Sequence, residues 1–229
     1  MPLDLASLAS VRACAADLLD RLEQIHVLDL NAGGVLSRRA VTEDGYEMQF
    51  QSNHLGHFLL TELLLERLRH SAPARIVVVS SWGHTQARGG LNFGDLQWAA
   101  RPYRGTMVYS ATKLMNLYFT FELARRLAGT DVTVNAFHPG YVASGFAMSG
   151  DTTLLRLGIM ISQPFARSPA KGARTAIWLA ASDKVADVSG TYFVDCRVKE
   201  PSADARDADK AGLLWDVSAE LAGLDPDGG

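Results

Sequence analysis

The chain has 229 residues, 48% of them hydrophobic and 21% charged, with a formal net charge of −3. That length supports one sizeable core, the apolar content excludes a disordered chain, and the slight acidic balance leaves no basic surplus for nucleic acid. The two cysteines, Cys14 and Cys196, form no CxxC pair, which argues against a disulfide scaffold or a zinc knuckle and for a reducing, cytoplasmic setting.

The opening stretch, MPLDLASLASVRACAADLLDRLEQ, has early acids and no basic-then-apolar order, so it does not read as a signal peptide. Leu8, Val11, Ala15, Leu18, Leu19 and Leu22 recur at helical spacing, and IHVLDLNAGG follows as a short strand running into small residues. The same cycle then repeats. EDGYEMQFQSNHLGHFLLTELLLERLR has the pattern of one long helix, RIVVVSS is a β-branched strand, YSATKLMNLYFTFELARRLAG is a helix stopped by Gly129, and VTVNAFHPG is a strand broken by Pro139. A third round pairs the helix SPAKGARTAIWLAA with the strand GTYFVDC, and KAGLLWDVSAELAGL closes the chain as a helix. The expected parallel strands lie near 26–30, 75–80, 132–137 and 191–194. Strands that are apolar throughout belong in a parallel sheet covered on both faces, so the fold class is α/β, a Rossmann-like doubly wound sheet in one domain over 1–229. The most apolar remaining stretch, LLRLGIMI at 154–161, is too short to span a bilayer and carries Arg156, so no membrane segment is expected.

In open α/β sheets the ligand sits beyond the carboxyl ends of the strands. Three strand ends carry small or polar residues here: Asn31-Ala32-Gly33, Ser80-Ser81 and His138-Pro139-Gly140-Tyr141-Val142. Between the second and third, Tyr109 and Lys113 lie four apart and so share a helix face. A neighbouring ammonium favours the phenolate and lowers the tyrosine pKa, which makes the pair a candidate for acid–base chemistry. Ser81 could bond the same substrate oxygen, and Asn53 could hold a relay water near the lysine. The set suits proton transfer to or from a carbonyl oxygen or hydroxyl. His54 and His57 are three apart, but no third ligand is placed by the sequence and no metal is expected. There is no G-x-S-x-G to suggest a serine hydrolase. Tyr118, Phe119 and Phe121 read as core, with a homodimer face as the alternative, and Trp215 reads as an anchor under a loop near the substrate side.

The ordered set NAG, NHLGHF, RIVVVSS, YSATK and HPG resembles the short-chain dehydrogenase/reductase family, and TEDGYEMQFQSNHLGHFLLTELLL with GTYFVDC and LLWDVSAELAG resembles its retinol dehydrogenase-like branch. The resemblance implies an oxidoreductase that moves a hydride between NAD(P)(H), with NADP somewhat favoured, and a small-molecule carbonyl or alcohol. It implies Tyr109 as the acid/base, Lys113 as the group that lowers its pKa and holds the nicotinamide ribose, Ser81 as the residue orienting the substrate oxygen, and Asn53 as the end of the proton relay. Asn31, Ala32 and Gly33 would line the cofactor, the stretch from Pro139 through Gly140 and Tyr141 to Val142 would meet the nicotinamide with Ser144 near its amide, and Asp4 would meet the adenine.

Family members also begin with a strand, a glycine-rich turn and a helix that neutralise the cofactor pyrophosphate. This sequence contains no two glycines separated by a single residue. Against the family pattern residue 1 falls at or within the third strand, so two strands and two helices are expected to be absent and VLDL to have an unpaired edge. Asp29, where the family has an apolar residue, would be costly in a buried strand. The alternative reading is therefore a non-catalytic remnant or partner subunit that cannot hold a dinucleotide by itself.

Overall fold

The computed structural model describes residues 1–142 and 166–225. Helix α1 spans Leu8–Arg21, and Ser7 caps it by accepting a hydrogen bond from the Ser10 amide. Strand β1 is Val27–Leu30. A short helix, α2 (Met48–Phe50), passes through a π-helical turn at Gln51–Leu55 into α3 (Gly56–His70). Strand β2 (Ala74–Val79), helix α4 (Gly105–Arg126) and strand β3 (Val132–His138) follow. Helix α5 (Pro169–Ala181), strands β4 (Thr191–Val194) and β5 (Arg197–Val198), and helix α6 (Ala208–Ala222) complete the described chain.

The five strands form one sheet in the order β1-β2-β3-β4-β5, and the first four run parallel. All four expected strands are present within a residue or two of the expected limits. Strand β5, which was not expected, returns antiparallel to β4 across Asp195 and Cys196, whose φ angles of 52° and 59° make the tight turn.

Alternation along the strands builds two cores. Leu30, Ile76, Val78, Val134 and Ala136 face α1, α3, α4 and α6, whereas Val77, Val79, Phe137 and Phe193 face Ala176 and Leu179 of α5. Continuous burial of β2 and β3 thus follows from helices on both sides, as the apolar runs required. Phe58, Phe119 and Trp215 lock α3, α4 and α6 together, with Phe119 and Trp215 stacked at 6.0 Å and Phe58 edge-on to Trp215 at 5.0 Å. Tyr118 and Phe119 are therefore core residues, and Trp215 is a helix-packing anchor rather than a support near the strand-end cleft.

Strand β1 lies at the sheet edge and pairs only with β2 among the described residues. Residues 1–6, where the third strand of the family pattern was expected, form no strand. Asp29 escapes the expected burial cost because the edge leaves it exposed, although the adjoining groove still raises its pKa through partial desolvation. The stretch 154–161 and Ser144 lie outside the described residues. Among those described, no helix is long and apolar enough to cross a membrane.

Candidate active site

The carboxyl ends of β1, β2 and β3 open into a cleft of about 720 Å³. Asn31, Ala32 and Gly33 form one wall, Ser81, Trp82 and Gly83 a second, and His138 to Val142 a third, with Tyr109 and Lys113 between them. Of the anticipated residues, the cleft gathers Asn31, Ala32, Gly33, Ser81, Tyr109, Lys113, Pro139, Gly140 and Val142. Asn53 sits behind it, Asp4 does not line it, and Ser144 is not among the described residues.

Each side chain has a local cause for its place. Ser81 follows β2 in an extended conformation and caps the 3-10 turn Trp82–Gln86, its Oγ accepting from the Gly83 amide at 3.0 Å. That Oγ also bonds the Tyr109 hydroxyl. Tyr109 is half-buried and lies one turn into α4. Lys113 comes one turn later, is 2% exposed, and has its Nζ 5.5 Å from the centre of the Tyr109 ring. Nζ donates to the Val79 carbonyl at a long 3.4 Å, while Asn116 Nδ2 donates to the same oxygen at 2.9 Å. The ammonium is thus held by the end of β2 with donor capacity left over.

Burial governs the electrostatics. It pushes Lys113 down to about 8. It raises Tyr109 above the ordinary phenol value, opposed only by the hydrogen bond with Ser81. The expected lowering of the tyrosine by the lysine does not register among these causes: desolvation of the phenol dominates. His57, buried beside Lys113, is pushed down to about 3 by burial first and by the ammonium second, so its imidazole is neutral.

Asn53 departs from its expected posture. It occupies the π-helical turn, and its side chain is consumed by protein: Oδ1 accepts from the Gly34 amide at 2.8 Å, and Nδ2 donates to the Gly34 carbonyl at 2.9 Å and to Thr112 Oγ1 at 3.2 Å. It ties the segment after β1 to α4. Gly33 completes that junction, since a Cβ there would lie 3.0 Å from Asn53 Oδ1 and 3.6 Å from Lys113 Nζ. Asp4 is exposed and turned on itself, its Oδ1 accepting from the Ala6 amide at 2.9 Å. His54 bonds Ser218 at 2.8 Å, and no group of three His, Cys, Asp or Glu side chains among the described residues is placed to hold a metal. Trp82, exposed at the cleft, received no role from the sequence, which offered only its position beside Ser81 as a signal, and Tyr141, within the stretch expected to meet the nicotinamide, is exposed there too.

The family described as enoyl-(acyl carrier protein) reductase matches residues 1–196. Human retinol dehydrogenase 14 is 48% identical over 224 residues, covering 97% of this chain and 66% of that protein. The chain thus spans about two thirds of the length of the curated relatives it matches. Among solved structures, an uncharacterized protein from Mycobacterium paratuberculosis aligns at a TM-score of 0.72 with 35% identity, covering 97% of this chain and 75% of that one. A Pseudomonas aeruginosa RhlG/NADP active-site complex aligns at a TM-score of 0.62 with 25% identity, covering 84% and 73%.

Proposed function

The chain belongs to the short-chain dehydrogenase/reductase family, and from that premise we propose that its cleft moves a hydride between NAD(P)(H) and a carbonyl or alcohol. The observation that carries the reading is a tyrosine hydroxyl bonded to Ser81 within a cleft that also holds a buried lysine. Residues 1–229 are read as one domain of this type.

The residues present fit the nicotinamide ribose half of such a cofactor. Gly33 leaves the backbone open beside Lys113, and Nζ keeps donors for ribose hydroxyls. Asn31, Ala32, Pro139, Gly140 and Val142 supply the surrounding walls. When bound, the cofactor supplies or takes the hydride. In the reducing direction Tyr109 gives its hydroxyl proton to the substrate oxygen while Ser81 bonds that oxygen, and Lys113 favours the phenolate left behind. Asn53 serves by positioning, since its side chain fixes the Gly33–Gly34 segment against α4. The similarity to RhlG in its active-site complex with NADP supports a dinucleotide in this type of cleft without deciding between the two nicotinamides.

The experiment is a reductase assay with NADH and NADPH against a panel of aldehydes and ketones, run on wild type and Tyr109→Phe. Turnover that depends on the tyrosine hydroxyl supports the reading, and equal turnover in the variant overturns it.

A second reading, a partner subunit or remnant that holds no dinucleotide alone, is favoured by two observations. No glycine-x-glycine turn occurs in the sequence, and one side of β1 has no strand partner among the described residues. Calorimetric titration with each cofactor separates the readings, because the second requires no saturable binding at all.

A further inference from the structure

We infer that His84 is a positioning residue for Ser81, clamping the serine's backbone from one side while tying it to the connection before α6 on the other. The inference rests on the proposed role of Ser81.

His84 is 2% exposed and lies within the same 3-10 turn that Ser81 caps. Its Nδ1 lies 2.6 Å from the Ser81 carbonyl oxygen, and its own amide donates to that oxygen at 3.1 Å. A carbonyl can only accept, so Nδ1 carries the proton. Nε2 accepts from the Ser202 amide at 3.1 Å, so it carries none. The two bonds together admit one neutral tautomer, with Nδ1–H facing Ser81 and a bare Nε2 facing Ser202. The ring also packs edge-to-face with Tyr192 of β4, centroids 5.3 Å apart.

The consequence reaches the serine hydroxyl. Both lone pairs of the Ser81 carbonyl are taken by His84, which fixes the peptide plane from which the side chain departs. Ser81 Oγ then meets the Gly83 amide and the Tyr109 hydroxyl from a set position. Through Ser202 the clamp joins the cleft to residues 199–206 and the short turn Asp204–Arg206, which leads into α6. A misplacement of about 1 Å at the oxygen-binding group is enough to slow a proton transfer.

The test compares His84→Phe, which keeps a ring against Tyr192 and loses both hydrogen bonds, with His84→Asn, whose Nδ2 can still donate to the Ser81 carbonyl. The first readout is amide hydrogen exchange at Gly83, which reports the hold of Ser81 Oγ without any cofactor. His84→Phe should exchange about tenfold faster there, the worth of one neutral hydrogen bond, while β2 and β3 amides are unchanged and His84→Asn stays near wild type. The second readout is turnover, expected to fall about tenfold in His84→Phe with KM for NAD(P)H unchanged and to be largely restored in His84→Asn. Equal exchange at Gly83 in all three proteins, or an Asn variant no better than Phe, overturns the clamp. Should His84→Phe fail to fold, nitrogen-15 NMR of the wild-type ring decides, because a proton on Nε2 contradicts the assignment. Ser81→Ala separates the two levels. Full turnover in that variant sinks the role of Ser81 and with it the positioning function, whereas the exchange and tautomer results still report whether the clamp exists.

Discussion

Replacing Lys113 by methionine should make the protein more stable and less active. The side chain is 2% exposed, and burial lowers its pKa from 10.5 to about 8. That depression corresponds to about 3 kcal/mol of folding free energy spent on keeping the ammonium charged below its folded pKa. Methionine retains the length of the stem and its apolar contacts. It leaves no carbonyl stranded, since Asn116 already donates to Val79 at 2.9 Å. At pH 7 the variant should therefore gain up to about 3 kcal/mol. The pH dependence follows from the sign of the shift. Between about 8 and 10.5 the unfolded lysine holds its proton and the folded one has lost it, so wild-type stability rises with pH through that window. The methionine variant lacks this rise, and its advantage should be complete below about 8 and vanish above 10.5. Urea unfolding of both proteins at pH 7 and pH 10 measures the gap. A variant less stable than wild type at pH 7, or a gap that fails to narrow at pH 10, would refute the claim that a desolvated charge is stored at this position.

Tyr109→Phe removes the proposed proton donor and should lower turnover by about a hundredfold or more while the circular dichroism melt is unchanged. Gly33→Ala brings a methyl to 3.0 Å from Asn53 Oδ1 and toward Lys113, so calorimetry should show weaker NAD(P)H binding with little loss of thermal stability. Gly105→Ala would place Cβ 1.7 Å from the Leu36 carbonyl, and the resulting backbone shift should cost about 3 kcal/mol or more in denaturant unfolding. NADH and NADPH should bind well above micromolar Kd, because on the proposed reading Lys113 and the strand-end loops would orient a nicotinamide ribose while the sequence offers no glycine turn to the phosphates. Micromolar affinity by fluorescence titration would show that another segment supplies that site.

The sheet was legible because the run Ile76–Val79 of β2 and the residues Val134, Ala136 and Phe137 of β3 place apolar side chains on both faces, as a doubly covered parallel strand requires. The cleft was legible because the same logic points to strand ends, and Tyr109 and Lys113 share a helix face by spacing alone. Periodicity did not reveal the π-helical turn at Gln51–Leu55, since one extra residue in a turn barely alters an apolar pattern. It therefore missed that the Asn53 side chain would be drawn to Gly34, a pairing 19 residues distant. Strand β5 is two residues long and depends on left-handed Asp195 and Cys196, for which no glycine gave a cue. Spacing places the tyrosine beside the lysine but says nothing of the desolvation that raises the phenol, which is a property of the packed cleft. The His84 contact had a readable trace: in a 3-10 turn residues i and i+3 eclipse, which places His84 over Ser81. Its second partner, Ser202, is 118 residues away and has no sequence signal.

The most direct measurement of the central claim is isotope transfer. Purified protein is incubated with reduced NADP carrying deuterium at nicotinamide C4, in separate samples of each stereochemical label, and with a carbonyl acceptor that the reductase assay selects. Mass spectrometry of the alcohol should find deuterium on the former carbonyl carbon from one label only, at a rate reduced about a hundredfold in Tyr109→Phe. Alcohol without deuterium from either label, or equal transfer in wild type and Tyr109→Phe, would contradict the account.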